Sequence, residues 1–308
     1  MSIRISTAPC CWGVDDPRNP HLPPWRQVLD EASQAGYRAI ELGPFGYLPR
    51  DAGALGPALR ERELSVIAGT IFDDLVSAEH LPALLRQAEE ICALVTALPR
   101  IPPQPGQRFP TPYLVVIDWG HDERDFAAGH PEAAPRLERP DWDRMVAHVR
   151  AIAAVAARHG VRTVIHPHAG GYVEFADEIR RVAADVPAEV AGLCLDTGHL
   201  LFSGMDPVEW IRALAPRLDY VHFKDVDAAV HRQILRERIR FFAACARGVM
   251  CPIGSGAIDY PAVRRALEDV GYRGFATVEQ ERDPRNAAGS LRDVTASLRY
   301  LQSAGFES

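Results

Sequence analysis

Residues 113–118 read Tyr113-Leu114-Val115-Val116-Ile117-Asp118, five residues without a charge followed by an acid. A run that is apolar at odd and even positions alike is a strand buried on both faces, as in a parallel sheet covered by helices. Working outward, the same short run recurs at Ile3–Thr7, Ala39–Leu42, Leu64–Ile71, Arg162–His166, Ala191–Asp196, Tyr220–Lys224 and Gly274–Glu279. Helical periodicity separates the runs, near Trp25–Ala35, Asp51–Arg62, Leu81–Ala97, Asp141–Arg158, Glu174–Ala184, Pro207–Leu214, Ala228–Arg247 with Tyr260–Asp269, and Ser290–Ser303. Asp206 and Asp259 stand where N-caps belong, each just before an expected helix.

Eight strands, each followed by a helix, predict a single (β/α)8 barrel over residues 1–308, since about 250 residues make one such barrel. A doubly wound sheet would need a glycine-rich turn after its first strand. Here that strand runs into Pro9-Cys10-Cys11-Trp12, so the barrel is the better reading. Two stretches depart from the repeat. Residues 98–112 carry prolines at 99, 102, 103, 105, 110 and 112 and are expected as a loop near one mouth. Residues 225–256 are expected as a helical excursion over the active face, whose Phe241 and Phe242 would be exposed and offer a contact to a neighbouring subunit.

Composition excludes several classes of function. Apolar residues make up 47% and charged residues 24%, ordinary for a chain with a sizeable core. The net charge of −7 offers no basic surface to nucleic acid phosphates or to an anionic membrane. Residues 1–12 hold no apolar run of the leader type, so no targeting segment is expected, and no stretch is long enough to span a bilayer. Six scattered cysteines show no CxxC pair and no disulfide spacing, which points to a reducing cytoplasm. Of the 34 basic residues, one is a lysine, Lys224.

In such a barrel, chemistry sits at the C-terminal ends of the strands. The second strand ends in Glu41, the fourth in Asp118, the fifth in His166-Pro167-His168 and the sixth in Asp196 with His199 three residues on. The seventh carries His222, Lys224 and Asp225, and the eighth ends in Glu279. So many ionisable groups on one rim are costly to bury without partners, and a divalent ion satisfies several at once. One ligand per strand selects His166, Asp196, His222 and Glu279, although alternation puts His168 on the same side as His166 and leaves either as the ligand. Mixed imidazole and carboxylate ligation suits Mn²⁺, Co²⁺, Fe²⁺ or Zn²⁺ better than Ca²⁺ or Mg²⁺. His148, His159 and His231 fall on helices or their ends and are read as packing or surface residues. His121, Asp122, Asp125 and His130 are read as a solvated loop.

The segments Glu41-Leu42-Gly43, His166-Pro167-His168-Ala169-Gly170-Gly171, Asp196-Thr197-Gly198-His199, His222-Phe223-Lys224-Asp225, Gly254-Ser255-Gly256 and Val278-Glu279-Gln280 resemble the xylose-isomerase-like sugar isomerase and epimerase superfamily, and within it the inosose dehydratases of myo-inositol catabolism. The resemblance implies one divalent ion, commonly Mn²⁺ or Co²⁺ with Zn²⁺ or Fe²⁺ as alternatives, held by His166, Asp196, His222 and Glu279. Epimerases of the superfamily place a glutamate where this chain has His166, a departure that fits the dehydratases. The activity implied is removal of water from a keto-inositol or related keto-sugar through a metal-stabilised enediolate. Lys224 or His199 would be the base and His168 an acid or hydroxyl contact. Glu41, Asp118, His168 and His199 would meet substrate hydroxyls, and Glu279 would share in catalysis. A sugar isomerase or epimerase acting on an unphosphorylated ketose or cyclitol is the alternative, and a non-catalytic sugar-binding protein the second. Abasic-site nucleases of the same superfamily use several zinc ions and more histidines on early strands. The third strand here ends near Thr70 without one.

Overall fold

The structure, a computed structural model, describes residues 3–307. Seven parallel strands, β1 (Ile3–Thr7), β2 (Ala39–Pro44), β3 (Ser65–Asp73), β4 (Tyr113–Asp118), β5 (Arg162–Ile165), β6 (Gly192–Asp196) and β7 (Leu218–Phe223), follow in order around a barrel. Two-residue strands β8 (Asp225–Val226) and β9 (Met250–Cys251) form a separate antiparallel pair. Strand β10 (Gly274–Val278) then closes the barrel between β7 and β1, with Ile3 to Thr7 paired to Gly274 to Val278. The barrel and its covering helices agree with the (β/α)8 reading.

Alternation along each strand divides the residues between two cores. Leu114 and Val116 of β4, Ile165 of β5, Leu193 and Leu195 of β6 and Val221 of β7 face outward into the layer packed by helices. Tyr113, Val115, Ile117, Val164, Cys194, Tyr220 and Phe275 fill the lumen. Stacked Tyr113 and Tyr220 rings, 4.8 Å between centroids, form its floor. The next inward positions toward the strand ends are His166, Asp196, His222 and Glu279, so the lumen turns from apolar to ionisable as the strands end.

The helices expected at Leu81–Ala97, Tyr260–Asp269 and Ser290–Ser303 have those limits. Asp206 and Asp259 cap as expected, accepting the N–H of Val208 at 2.7 Å and of Ala262 at 3.0 Å. The proline-rich segment lies at the N-terminal mouth, away from the ionisable rim. There Gln104 bonds the carbonyl of Gly274 and Arg108 that of Pro216, tying the loop to the starts of β10 and β7. Among the described residues no helix is long and apolar enough to cross a membrane.

Three expectations are corrected. The excursion is two helices, Ala228–Glu237 and Phe241–Ala246, because Arg238 takes a left-handed conformation (φ 52°) that ends the first. Phe241 is wholly buried rather than exposed: the excursion folds back so that its ring packs on Trp119, His168, His199 and Phe202 of its own chain. Phe242, half-buried, sits against Phe72 and Trp119. The loop after β4 is not merely solvated. It contains a helical turn, Asp122–Phe126, whose Arg124 is buried and paired bidentately with Glu178 at 2.8 and 3.0 Å. His121 there bonds Asp118 at 3.1 Å.

Candidate active site

Each element brings one side chain to the C-terminal mouth. His166 follows β5 directly and keeps the sheet going, its N–H bonded to the Val116 carbonyl at 3.0 Å, so its ring points inward. Asp196 ends β6 and caps the short helix Thr197–Phe202: its Oδ1 accepts the N–H groups of Gly198 (2.8 Å) and His199 (2.9 Å). That leaves Oδ2 facing the lumen. Gly198 is required because a Cβ there would lie 2.3 Å from the Cβ of Lys224. Thr197 Oγ1 donates to the Lys224 carbonyl at 3.0 Å and locks this helix against the end of β7. The Asp-Thr-Gly-His sequence is thus a capped, closely packed turn that aims one carboxylate oxygen inward.

His166, Asp196, His222 and Glu279 each offer a ligand-capable atom, and the four atoms lie within 4.8 Å of one another. His166 Nε2 is 3.5 Å from Asp196 Oδ2, and His222 Nδ1 is 2.9 Å from Glu279 Oε2. Both nitrogens of His166 are buried without a hydrogen-bond partner, a costly arrangement that a cation would relieve. The donor set and these unpartnered atoms fit a divalent ion.

Lys224, 1% exposed, reaches into the same cluster. Its Nζ donates to Asp196 Oδ2 at 2.7 Å and to Glu279, and lies 3.1 Å from Glu281 Oε1. Burial works against the ammonium, but Asp196, Glu279 and Glu281 outweigh it and hold its pKa well above the ordinary lysine value. With three carboxylates around it, Lys224 is their counter-ion in the metal-free cluster. Asp225 beside it accepts the N–H groups of Val226, Gly254, Gly256 and Ile258, and so builds the Gly254-Ser255-Gly256 turn.

Of two residues expected as substrate contacts, Glu41 lines the inner chamber and also holds His222, while Asp118 lies outside the chamber. Glu41 accepts from His222 Nε2 at 2.9 Å and from the Tyr220 hydroxyl at 2.6 Å. A proton held on Nε2 by Glu41 is the arrangement carboxylates impose on metal-binding histidines and would free Nδ1 for an ion. In the metal-free cluster burial works against the imidazolium, but Cys194, Glu279 and Glu41 outweigh it and raise His222 well above the ordinary histidine value. Asp118 belongs to the outward set of β4 with Leu114 and Val116. Its oxygens accept the N–H groups of Leu75 (3.1 Å) and Tyr172 (2.7 Å), and Ile117 lines the chamber instead. Alternation from Ile117 could have shown this in the sequence.

His168 and His199, both buried, stand 3.9 Å apart between ring centroids, against Phe241. Burial lowers the pKa of each well below the ordinary histidine value, so both are neutral. Three further acidic or thiol groups line the chamber: Glu281, Asp15 and Cys10. Burial raises Glu281 to about 7 and lifts Asp15 well above the carboxylate range. Spacing could have flagged Glu281, two residues past Glu279 on the same face; nothing local marks Asp15.

An inner chamber of about 80 Å³ touches His166, His168, Lys224, Glu279 and Glu281. It shares Asp15, Pro44, Thr70, Phe72 and Phe242 with an outer bowl of about 730 Å³. The bowl's arginines are already paired: Arg18 with Asp16, Arg282 with Asp293, Arg285 with Asp283.

A closed barrel with this rim defines a class, and comparison with known proteins agrees. The chain belongs to the xylose isomerase-like TIM barrel family, whose model matches residues 29–303. It is 32% identical to the rhizopine catabolism protein MocC of Rhizobium meliloti, over 93% of this chain and 84% of that protein. It is 30% identical to an inosose dehydratase of Geobacillus kaustophilus, over 92% and 88% respectively. A solved structure of the probable 3-DHS dehydratase AsbF of Bacillus anthracis superposes with a TM-score of 0.70 at 16% identity, covering 97% of this chain and 99% of that one.

Proposed function

We propose that this chain is a metal-dependent lyase of the inosose dehydratase type, which removes water from a keto-inositol or a related cyclic keto-polyol. The observation that carries the reading is the cluster of His166, Asp196, His222 and Glu279 around a buried imidazole with no partner for either nitrogen. The 30% identity to an inosose dehydratase, over nearly the whole chain, supports the substrate class.

His166, Asp196, His222 and Glu279 would hold one divalent ion, Mn²⁺ or Co²⁺ before Zn²⁺ or Fe²⁺. When bound, such an ion supplies Lewis-acid polarisation of the substrate carbonyl, which acidifies the neighbouring C–H. Glu41 keeps His222 in the binding tautomer. Lys224 balances the surplus of carboxylates and places an ammonium against the forming oxyanion. His168 meets the substrate at the inner chamber with His199 packed against it, and one of them moves the proton. The C–H electron pair becomes the new C=C bond, the C–O bond of the β-hydroxyl breaks, and the departing oxygen leaves as water. With the bowl's arginines paired, the substrate is an unphosphorylated polyol. Having His166 where epimerases carry a glutamate disfavours two-glutamate epimerisation.

The test is metal analysis of the purified protein together with ultraviolet and NMR assays on keto-inositol, with and without Mn²⁺ or Co²⁺. One ion per chain and metal-dependent growth of an enone absorbance are expected. A chain that binds no divalent ion, or exchanges solvent deuterium without losing water, overturns the dehydratase reading.

A further inference from the structure

The backbone of one residue, Ala169, touches His168, which lines the inner chamber, and His199, whose ring packs against it, in opposite senses. Its carbonyl lies 2.9 Å from His168 Nδ1, and its N–H lies 3.2 Å from His199 Nδ1. A carbonyl can only accept, so His168 must carry a proton on Nδ1, and Nε2 is the nitrogen left to exchange a proton with the chamber. A peptide N–H can only donate, so His199 must present the lone pair of Nδ1, and its proton sits on Nε2. His199 Nε2 is buried and has no partner in the protein, while His168 lines the inner chamber. We propose that the Ala169 backbone locks the two histidines into complementary tautomers, His168 with its proton on Nδ1 and His199 with its proton on Nε2, and that Glu174 is the positioning residue that holds this lock. The inference rests on reading the chamber as the active site. It differs from the sequence reading, in which Lys224 or His199 is the base and His168 an acid or hydroxyl contact.

Glu174 suits that task by its connections. Its Oε2 accepts the N–H of Gly170 at 2.8 Å, fixing the residue next to Ala169. Its Oε1 accepts the Ser203 hydroxyl at 2.8 Å and the N–H of Gly129 at 2.7 Å. Ser203 closes the helix Thr197–Phe202 that carries His199. One buried carboxylate therefore ties the segment bearing His168 to the helix bearing His199. The turn has no slack elsewhere: a Cβ on Gly170, whose φ is 91°, would lie 2.7 Å from the Trp119 ring, and one on Gly171 2.2 Å from the Asp118 carbonyl. Arg124, 3.6 Å from Glu174, keeps the carboxylate from being a lone buried charge.

Glu174→Gln is the informative change, because both carboxylate oxygens accept a peptide N–H and an amide has a single oxygen. Either Gly129 or Gly170 would then face an NH₂ group. Long-range ¹H–¹⁵N correlation of the histidine rings in the full-length ¹⁵N-labelled protein, without metal and with diamagnetic Zn²⁺, reads the tautomers directly. The wild type should show His168 protonated at Nδ1 and His199 at Nε2. Glu174→Gln should populate the second tautomer of both rings and lower kcat by about 10²-fold, as a displacement near 1 Å does, with metal affinity retained. His168 protonated at Nε2 in the wild type, or a Glu174→Gln protein with both tautomers and kcat unchanged, overturns the proposal. If Glu174→Gln does not fold, the wild-type spectrum decides the tautomers and Ser203→Ala, which removes one tie, tests the positioning by the same two readouts. The expected tautomers in a protein that does not dehydrate keto-inositol would support the lock and remove only the substrate reading.

Discussion

Replacing Glu41 by Gln separates two roles that the sequence leaves undivided. In the structure Glu41 Oε1 lies 2.9 Å from His222 Nε2 and 2.6 Å from the Tyr220 hydroxyl, and the residue is 1% exposed. The substitution keeps the shape and one acceptor oxygen, but removes the charge that favours a proton on Nε2 and a lone pair on Nδ1. Loss of such a partner costs a bound metal about 10–100-fold in affinity, or about 1.4–2.8 kcal/mol at 1.4 kcal/mol per decade. Competition between the protein and a chromogenic chelator for Co²⁺ measures this directly. Metal binding should weaken within that range, and at saturating metal KM should change little. Unchanged metal affinity with a raised KM would refute the reasoning and return Glu41 to the role of a substrate contact.

Three further outcomes follow from other parts of the site. Lys224→Met leaves Asp196, Glu279 and Glu281 buried without their cation; the metal-free protein should lose about 3–5 kcal/mol, and urea denaturation should show a smaller loss once a divalent ion is added. Equal losses with and without metal would mean that Lys224 and the ion do not neutralise the same charges. Gly198→Ala brings a Cβ to 2.3 Å from that of Lys224, so overpacking should cost about 1–3 kcal/mol and reduce kcat with it; a protein of wild-type stability contradicts the packing argument. His121 is raised above its ordinary pKa because Asp118, with Asp74 and Glu123, outweighs the opposing effect of burial. Its contribution is therefore full below about pH 6.5 and lost as the pH rises through the folded-state value. The stability gap between wild type and His121→Phe should shrink as the pH rises above about 6.5, and a gap that widens would reverse the sign.

The lesson for reading such a chain lies in particular residues. Doubly apolar runs such as Leu114 to Ile117 report burial on both faces, a local property, and their eightfold recurrence with intervening helices is enough for the barrel. The ligand-capable cluster was legible for the same reason. Parallel strands of one barrel end on one rim, so His166, Asp196, His222 and Glu279 are brought together by topology alone. Strand alternation is equally local, and Ile117 on the inner face puts Asp118 outside.

What the linear chain could not settle is which neighbour each side chain finds across the barrel. Glu41 and His222 are 181 positions apart and Lys224 and Glu279 are 55 apart, and each pair meets only when the barrel closes. The same holds for Phe241, which looks like an exposed aromatic until the excursion folds back onto the mouth, and for Asp15, which joins the chamber lining only once the rim is complete. Strand and helix arise from periodicity within a dozen residues. Tautomers, charge states and hydrogen-bond partners depend on distances of a few ångströms between segments far apart in sequence, and only the packed tertiary structure sets those distances.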